Sequence, residues 1–229
     1  MKHTLLIITA LMLIVGCSKN TETDIDGNTY KTVKIGDQVW MAENLKVTHY
    51  RDGTAIPTGH SNSEWENLST GAYAVYDNNE TNADTYGYLY NWYAVDDSRN
   101  IAPEGWHVPT YDEIKQLEMY LGMSQIKANN TGWGGTNEGS KLAGNAVLWD
   151  NGDLEFNSEF GTSGFNTLPG GIRYYNGRYS GMGSHGYFWS STHLNGYGSW
   201  FRNLNYSSSE VYHSLYGKRH GLSVRCIRD

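Results

Sequence analysis

Cysteine, charge and basic residues are all scarce in this chain, and each scarcity excludes or disfavours a class of protein. Two cysteines in 229 residues form at most one bridge, so a disulfide scaffold is excluded. Only 18% of the residues are charged and 14% are aromatic, whereas disordered chains are rich in charge and poor in aromatics. The 17 basic and 24 acidic residues give a net charge of −7, which disfavours nucleic acid as a partner.

Long apolar runs are also missing after the first segment of the chain. Residues 5–15 form an apolar run that is broken only by Thr9 and follows a start containing Lys2. About a dozen apolar residues are typical of a secretory signal, because a spanning helix needs roughly 20. The sequence therefore predicts a signal peptide at 1–16 and no later membrane segment.

The end of this apolar run resembles a bacterial lipobox. Residues 13–17 place an aliphatic residue three positions before Cys17 and the small Gly16 directly before it. The resemblance implies cleavage after Gly16 and lipidation of Cys17, which would bind the protein to a membrane. The alternative is an ordinary signal peptide with an incidental cysteine. Inner-membrane lipoproteins commonly carry Asp after the cysteine, so Ser18 implies the outer membrane, on its periplasmic or extracellular face.

One domain of short strands is expected after the signal. Residues 17–24 are polar and aperiodic, which predicts a lipid anchor and tether before a domain at 25–229. Residues 25–40 mix β-branched and aromatic residues with turn pairs, which predicts a hairpin with Gly36 and Asp37 as its turn. Four more strands are predicted in the last third, at 187–192, 199–206, 210–216 and 222–228.

One helix has a clear start signal. Thr110 and Glu113 have the spacing of a capping box, in which each side chain binds the other residue's backbone amide. Apolar residues follow at helical spacing up to Gly122, a natural stop. Shorter helices are expected near 140–144 and 90–95. Few helices among many short strands predict an α+β fold.

Seven ordered strings along the chain resemble one protein family. They occupy residues 26–36, 38–46, 86–95, 103–109, 164–171, 189–192 and 223–226, the fourth being Pro103-Glu104-Gly105-Trp106-His107-Val108-Pro109. They resemble the Fibrobacter succinogenes major paralogous domain family, whose members are typically secreted or lipid-anchored bacterial proteins. The tryptophan strings and the final strand are also similar to the C-type lectin-like fold. That resemblance implies short twisted antiparallel strands, one or two helices and long irregular loops.

The resemblance also bears on Cys226. Family members often carry a cysteine before the Pro-x-Gly-Trp-His-Val-Pro string, which implies a bridge to the last strand. Ala102 occupies that position here, so Cys226 is expected to be a buried free thiol that packs as a small hydrophobe. The alternative is a reactive thiol. Formylglycine-generating enzymes of this fold hold copper with two cysteines, and this chain offers only one once Cys17 is lipidated.

Aromatic residues are the main indication of a ligand. Tyr and Trp combine apolar area with a polar group, so they suit sugar stacking and interfaces as well as strand interiors. Trp40, Trp92, Trp106 and Trp189 are interpreted as core residues. The ligand-binding candidates, which fall at a predicted hairpin tip, in loops or at strand ends, are Trp133, Tyr174, Tyr175, Arg178, Tyr179, Tyr197 and Tyr206.

Two acidic stretches are candidate calcium sites, because calcium prefers clustered oxygen ligands. The first contains Asp150, Asp153 and Glu155, and the second covers residues 77–80. Neither matches the EF-hand loop, and the alternative for both is a solvated turn. No other cofactor is predicted.

The histidines lack the close spacing of a helix-borne metal motif. His107 is interpreted as a core histidine that hydrogen-bonds to backbone. His185, His193 and His213 lie in the loop-rich end of the chain and are candidates for ligand contact.

Together these features predict an outer-membrane lipoprotein with a non-catalytic role in binding or adhesion. Its partners would be glycans or surface proteins, met by stacking on tyrosine and tryptophan rings. One alternative is an envelope structural or assembly subunit, whose apolar patch meets another protein. The other is an enzyme with an unrecognised site.

Overall fold

The computed structural model of the chain describes residues 21–194 and 198–229. The strands of these residues are β1 (Thr21–Thr23), β2 (Thr29–Ile35), β3 (Gln38–Met41), β4 (Tyr73–Ala74), β5 (Leu89–Asn91), β6 (Trp106–His107), β7 (Gly132–Gly134), β8 (Gly170–Arg173), β9 (Tyr179–Met182), β10 (His185–Leu194), β11 (Gly198–Asn205), β12 (Ser208–Tyr216), β13 (Gly221–Leu222) and β14 (Ile227–Arg228). The helices are α1 (Asn62–Glu66), α2 (Thr81–Tyr86), α3 (Trp92–Val95), α4 (Tyr111–Tyr120), α5 (Gln125–Asn129), α6 (Glu138–Leu142) and α7 (Asp153–Phe156).

Three antiparallel sheets organise these strands. Their orders are β1-β2-β3-β14-β6, β10-β11-β12-β7 and β4-β5-β13-β8-β9. In the first sheet, β14 lies between β3 and β6, because its residue Ile227 pairs with both Trp40 and His107. Sheets built from distant segments, with short helices between them, confirm the predicted α+β class.

The first hairpin forms where the sequence predicts it. Ile35 pairs with Gln38, which leaves Gly36 and Asp37 as the two-residue turn. The fold begins earlier than predicted, because β1 pairs with β2 and the Asp24 carboxylate accepts hydrogen bonds inside the fold. The described part of the tether proposed at 17–24 is therefore folded. The sequence did not predict β1, because three polar residues are too few to show a periodic pattern. The strand forms because it pairs with β2.

The predicted capping box starts α4, with both reciprocal hydrogen bonds between Thr110 and Glu113 present. The helices expected near 140–144 and 90–95 are α6 and α3. The expectation of one or two helices is wrong, since the described residues contain seven α-helices. All except the ten-residue α4 have four to six residues, too few to show a helical period in sequence.

The strand predicted at 222–228 is split into β13 and β14. Between them, Arg225 is fully buried, and its guanidinium donates to Asn44 and to the carbonyls of Phe165 and Asn166. These bonds hold the segment in an irregular path, because a buried cation needs its donors satisfied. The other three predicted strands are β10, β11 and β12.

Two apolar clusters form the core of the described residues. The first contains Trp92, Trp106 and Trp189, and the second contains Trp40. All four side chains are at most 2% exposed, which confirms them as core residues. Cys226 lies in the first cluster as a free, fully buried thiol, as predicted. No helix in the described part of the chain has the length and apolarity needed to cross a membrane.

Candidate ligand-binding face

Aromatic and amide side chains form a row across the four-stranded sheet. Tyr187 of β10 pairs with Asn203 of β11. Asn203 pairs with Tyr212 of β12, which in turn pairs with Trp133 of β7. Directly paired residues project from the same side of a sheet, so these four side chains lie next to one another. Phe201 shares this side because it lies two residues before Asn203 on β11.

Ring contacts extend this row to a second sheet. The ring centroids of Trp133 and Tyr212 are 5.2 Å apart, and Phe201 stacks on Tyr216 at 4.1 Å. Tyr216 stacks on His220 at 4.4 Å and an angle of 12°. His220 then contacts the rings of two tyrosines from the turn between β8 and β9, Tyr174 at 6.0 Å and Tyr175 at 5.7 Å.

We call this connected surface the aromatic face. At its other margin, His185 stacks on Tyr187 with ring planes 5° apart. The aromatic face comprises Trp133, Tyr174, Tyr175, His185, Tyr187, Phe201, Asn203, Tyr212, Tyr216 and His220.

Exposure along the aromatic face is highest at two of its ends. Trp133 is 42% exposed and Tyr175 is 51% exposed, while Phe201 between them is fully buried. Tyr212 and Tyr216 are half-buried. The buried middle holds the outer rings in place, and these outer rings are available for stacking with a ligand.

Hydrogen bonds orient both histidines of the aromatic face. The Nδ1 atom of His220 lies 2.9 Å from the carbonyl of Gly217, so it carries the proton and leaves Nε2 as an acceptor. The Asn205 amide lies 2.9 Å from Nε2 of His185, whose Nδ1 faces the Ser184 hydroxyl. Burial lowers the pKa of His185 and of His220, so both rings are neutral at neutral pH.

The hydroxyls of Tyr187 and Tyr216 in the aromatic face remain protonated. Burial raises the pKa of Tyr187 and of Tyr216, and the neighbouring Tyr174 raises both further. These phenols can therefore donate as well as accept hydrogen bonds. The Asn203 amide is buried and donates to the carbonyls of Gly186 and Leu204, so it serves the fold. The face thus combines apolar rings with phenol hydroxyls.

The turn between β8 and β9 presents the exposed end of the aromatic face. The amide of Tyr174 donates to the Arg178 carbonyl, and the amide of Gly177 donates to the Tyr174 carbonyl. Gly177 has a φ of +81°, which favours glycine at this position. The sequence thus predicts the hairpin tip correctly, and Tyr174 and Tyr175 both belong to the aromatic face.

Two of the predicted ligand-binding residues lie elsewhere. Tyr179 contacts Tyr76 and Arg173 on the opposite side of the hairpin, since it is the cross-strand partner of Arg173. Tyr206 packs against the second apolar cluster and against Gly152. Tyr197, another predicted binding residue, is outside the described residues.

The proposed calcium ligands lie around α7. Asp150 follows the buried Trp149 and its backbone amide binds the Gly183 carbonyl, while Asp153 and Glu155 belong to the helix. Among the described residues, no group of three or more His, Cys, Asp and Glu side chains is arranged to hold a metal ion.

Two histidine interpretations change with the structure. His107 was expected to bind backbone in the core, but it is half-buried and contacts the carboxylates of Glu113 at 2.9 Å and Asp229 at 2.6 Å. The prediction was wrong because the pairing of β14 with β6 brings Asp229 next to His107. His213 is fully buried, 3.3 Å from Glu118, and is not accessible to a ligand.

Sequence reasoning missed most of the aromatic face. Tyr187, Asn203, Tyr212, Tyr216 and His220 were not among its candidates. Alternation on β12 offered a signal, because Tyr212 and Tyr216 are separated by even steps and so share one side of the strand. His220 gave no local signal, since its role depends on stacking with Tyr216 of the preceding strand.

Comparison with known proteins agrees with the strings noted in the sequence. The pattern of the Fibrobacter succinogenes major domain matches residues 33–228. No curated protein and no solved structure matches the chain significantly. Since the matched region covers most of the chain, this protein belongs to the Fibrobacter succinogenes major domain family.

Proposed function

We propose that this protein is a non-catalytic binding protein that takes glycans on its aromatic face. The observation that carries the proposal is the row of contacting rings from Trp133 to Tyr175, exposed at both of these ends. Sugar rings have apolar faces and polar edges, so they are bound by aromatic platforms with nearby amides and hydroxyls. The proposed architecture is C-type lectin-like.

Rigidity favours binding by this surface. The middle rings are buried in the first apolar cluster, and the register of four strands positions the others. A platform that is already ordered loses little side-chain entropy when a ligand binds. The affinity of such a surface therefore comes from a few exposed rings.

The arrangement of titratable groups favours binding over catalysis. Glu118 and Arg202 form the one fully buried ion pair among the described residues, with the Arg202 Nε atom 2.5 Å from Glu118 and the neutral ring of His213 beside them. Because these side chains are inaccessible to solvent, they are also inaccessible to a substrate, and their role is to join α4 to the sheet. The aromatic face itself carries rings and phenol hydroxyls instead of carboxylate pairs.

A glycan array tests the proposal. The full-length chain in detergent is applied with and without calcium, beside Trp133→Ala and the matched control Tyr120→Ala. Tyr120 is 66% exposed but lies on α4, away from the aromatic face. We expect binding to at least one class of glycan, about tenfold weaker in Trp133→Ala and unchanged in Tyr120→Ala. Absence of any glycan binding, or equal binding by both variants, would contradict the proposal.

We also propose that lipid on Cys17 anchors the protein in the outer membrane. The support is the lipobox-like end of the first apolar run, and Cys17 is outside the described residues. Mass spectrometry of the intact mature protein tests this. The expected mass lacks residues 1–16 and includes acyl chains on Cys17, whereas an unmodified Cys17 thiol would refute the anchor.

A further inference from the structure

We propose that the glycan bound by the aromatic face carries carboxylates, and that Arg178 pairs with one of them. This inference rests on the proposed function and names the class of glycan. Its starting point is a cation without a partner beside the exposed end of the aromatic face.

Arg178 differs from the other arginines of the chain. Among the described residues, which include all eight arginines, it alone has a guanidinium with no hydrogen bond, ion pair or ring contact. The partners of the other seven are carboxylates, an amide, backbone carbonyls or aromatic rings, as seen at Arg51, Arg99, Arg173, Arg202, Arg219, Arg225 and Arg228. A guanidinium binds planar anions through two parallel hydrogen bonds, so a free one is suited to a carboxylate.

The hairpin places Arg178 on the same side as the ring of Tyr174. The two residues oppose each other across the turn, and the Tyr174 amide donates to the Arg178 carbonyl at 2.7 Å. The next pair, Arg173 and Tyr179, lies on the other side of the hairpin, with the guanidinium of Arg173 5.0 Å from the Tyr179 ring. Side chains alternate along a strand, so Arg178 and Tyr174 share the side that adjoins His220.

Arg178 is the cation available to an acidic sugar beside the aromatic face, because the other polar groups of the face are uncharged. The histidines of the face are neutral, and its phenols match sugar hydroxyls. Two other cations directly precede His220 in sequence, and both are occupied. The ammonium of Lys218 is over the ring of Trp92 at 4.4 Å, and Arg219 donates to the Leu68 carbonyl. A carboxylate on the ligand would thus find its partner at Arg178.

Paired oligosaccharides test this inference. The array contains carboxylate-bearing oligosaccharides and their carboxyl-reduced counterparts, each pair matched in chain length. The full-length chain is compared with Arg178→Gln, and with Arg228→Gln as a control that removes an arginine beside Trp106 in a different sheet. We expect the acidic member of at least one pair to bind about tenfold more tightly, and Arg178→Gln to abolish this preference. Arg228→Gln should keep it.

The outcomes separate the inference from the proposed function. Equal binding of acidic and reduced members, unaffected by Arg178→Gln, would refute the carboxylate and leave glycan binding intact. A preference for acidic members that survives in Arg178→Gln would refute the role of Arg178. Failure of every glycan to bind would refute the proposed function itself. Since Arg178 is exposed, the thermal midpoint of Arg178→Gln should equal that of the unaltered chain.

Discussion

Cys226 illustrates how burial decides the chemistry of a single side chain. Its thiol is fully buried among apolar residues, and burial raises the pKa of Cys226 well above the ordinary value. The nearby Arg51 opposes this shift without cancelling it. The reactive form of cysteine is the thiolate, so a protonated and inaccessible thiol is chemically inert.

We therefore predict that Cys226 does not react with Ellman's reagent in the folded protein. The measurement uses Cys17→Ser, in which Cys226 is the remaining cysteine. Full reaction should appear only in concentrated guanidinium chloride, because unfolding both exposes the thiol and restores its ordinary pKa. A variant that also carries Ser207→Cys provides an exposed thiol as the positive control. Native Cys226 reacting as fast as this introduced thiol would refute the prediction.

His107 carries a charge that depends on two carboxylates. Burial alone would lower its pKa, but hydrogen bonds to Asp229 and Glu113 outweigh burial and raise it. The folded pKa thus lies above the unfolded value of about 6.5. Stability from this histidine is complete below the unfolded pKa and is lost as pH rises through the folded pKa.

The corresponding prediction compares the chain with His107→Gln at two pH values. The variant should lose up to about 1 kcal/mol of unfolding free energy near pH 5.5, and less near pH 8.5, because the contribution of the charged ring falls as pH rises through the folded pKa. Urea denaturation followed by tryptophan fluorescence measures this difference. A loss that is equal at both pH values would show that the ring contributes packing instead of charge.

At the scale of elements, the hairpin of β8 and β9 connects the fold to the proposed binding surface. Its turn holds Tyr174, Tyr175 and Arg178, and Gly177 fixes the turn geometry with a φ of +81°. A Cβ atom added at Gly177 would collide with the Cα of Asn62, the first residue of α1. The hairpin is therefore constrained by both its own backbone and a neighbouring helix.

We predict that Gly177→Ala destabilises the protein by roughly 2–4 kcal/mol, from backbone strain and overpacking together. Gly59→Ala is the matched control, because Gly59 has a φ of +77° but no atom within 4 Å of an added Cβ. It should cost only about 1 kcal/mol, the strain contribution. Thermal denaturation of both variants measures the difference. Equal losses would show that Asn62 moves aside freely.

At the scale of the whole molecule, a buried ion pair joins α4 to the four-stranded sheet. Glu118 and Arg202 are both fully buried, and the carboxylate accepts from Nε at 2.5 Å and from Nη2 at 3.2 Å. Burial raises the pKa of Glu118 against the opposing charge of Arg202. Burial, and then the charge of Arg202, lower the pKa of His213 to about 3, so His213 stays neutral beside them.

We predict that Arg202→Met costs about 3–5 kcal/mol, because it leaves the Glu118 carboxylate buried without its partner. The double variant with Glu118→Leu should recover much of this loss, since it removes both charges from the interior. Chemical denaturation of the two single variants and the double variant gives the coupling free energy. A double variant as unstable as the sum of the singles would refute the pairing.

Local features of this protein could be predicted from sequence because their causes are local. The capping box of Thr110 and Glu113 and the Gly36-Asp37 turn each depend only on residues that are close neighbours in the sequence. Core tryptophans were predictable for a different reason, namely that large apolar rings gain free energy by leaving water wherever the fold allows. The Cys226 thiol followed from counting cysteines and from the resemblance at Ala102.

Only the tertiary structure decided the composition of the aromatic face. Trp133, Tyr187, Asn203 and Tyr212 come from four strands, and a register shift by one residue would turn any of them to the opposite side. Tyr179 and Tyr206 looked equally suitable in sequence, yet β9 and the turn between β11 and β12 direct them elsewhere. The residue types thus established that rings were available, and the pairing of distant strands decided which rings meet.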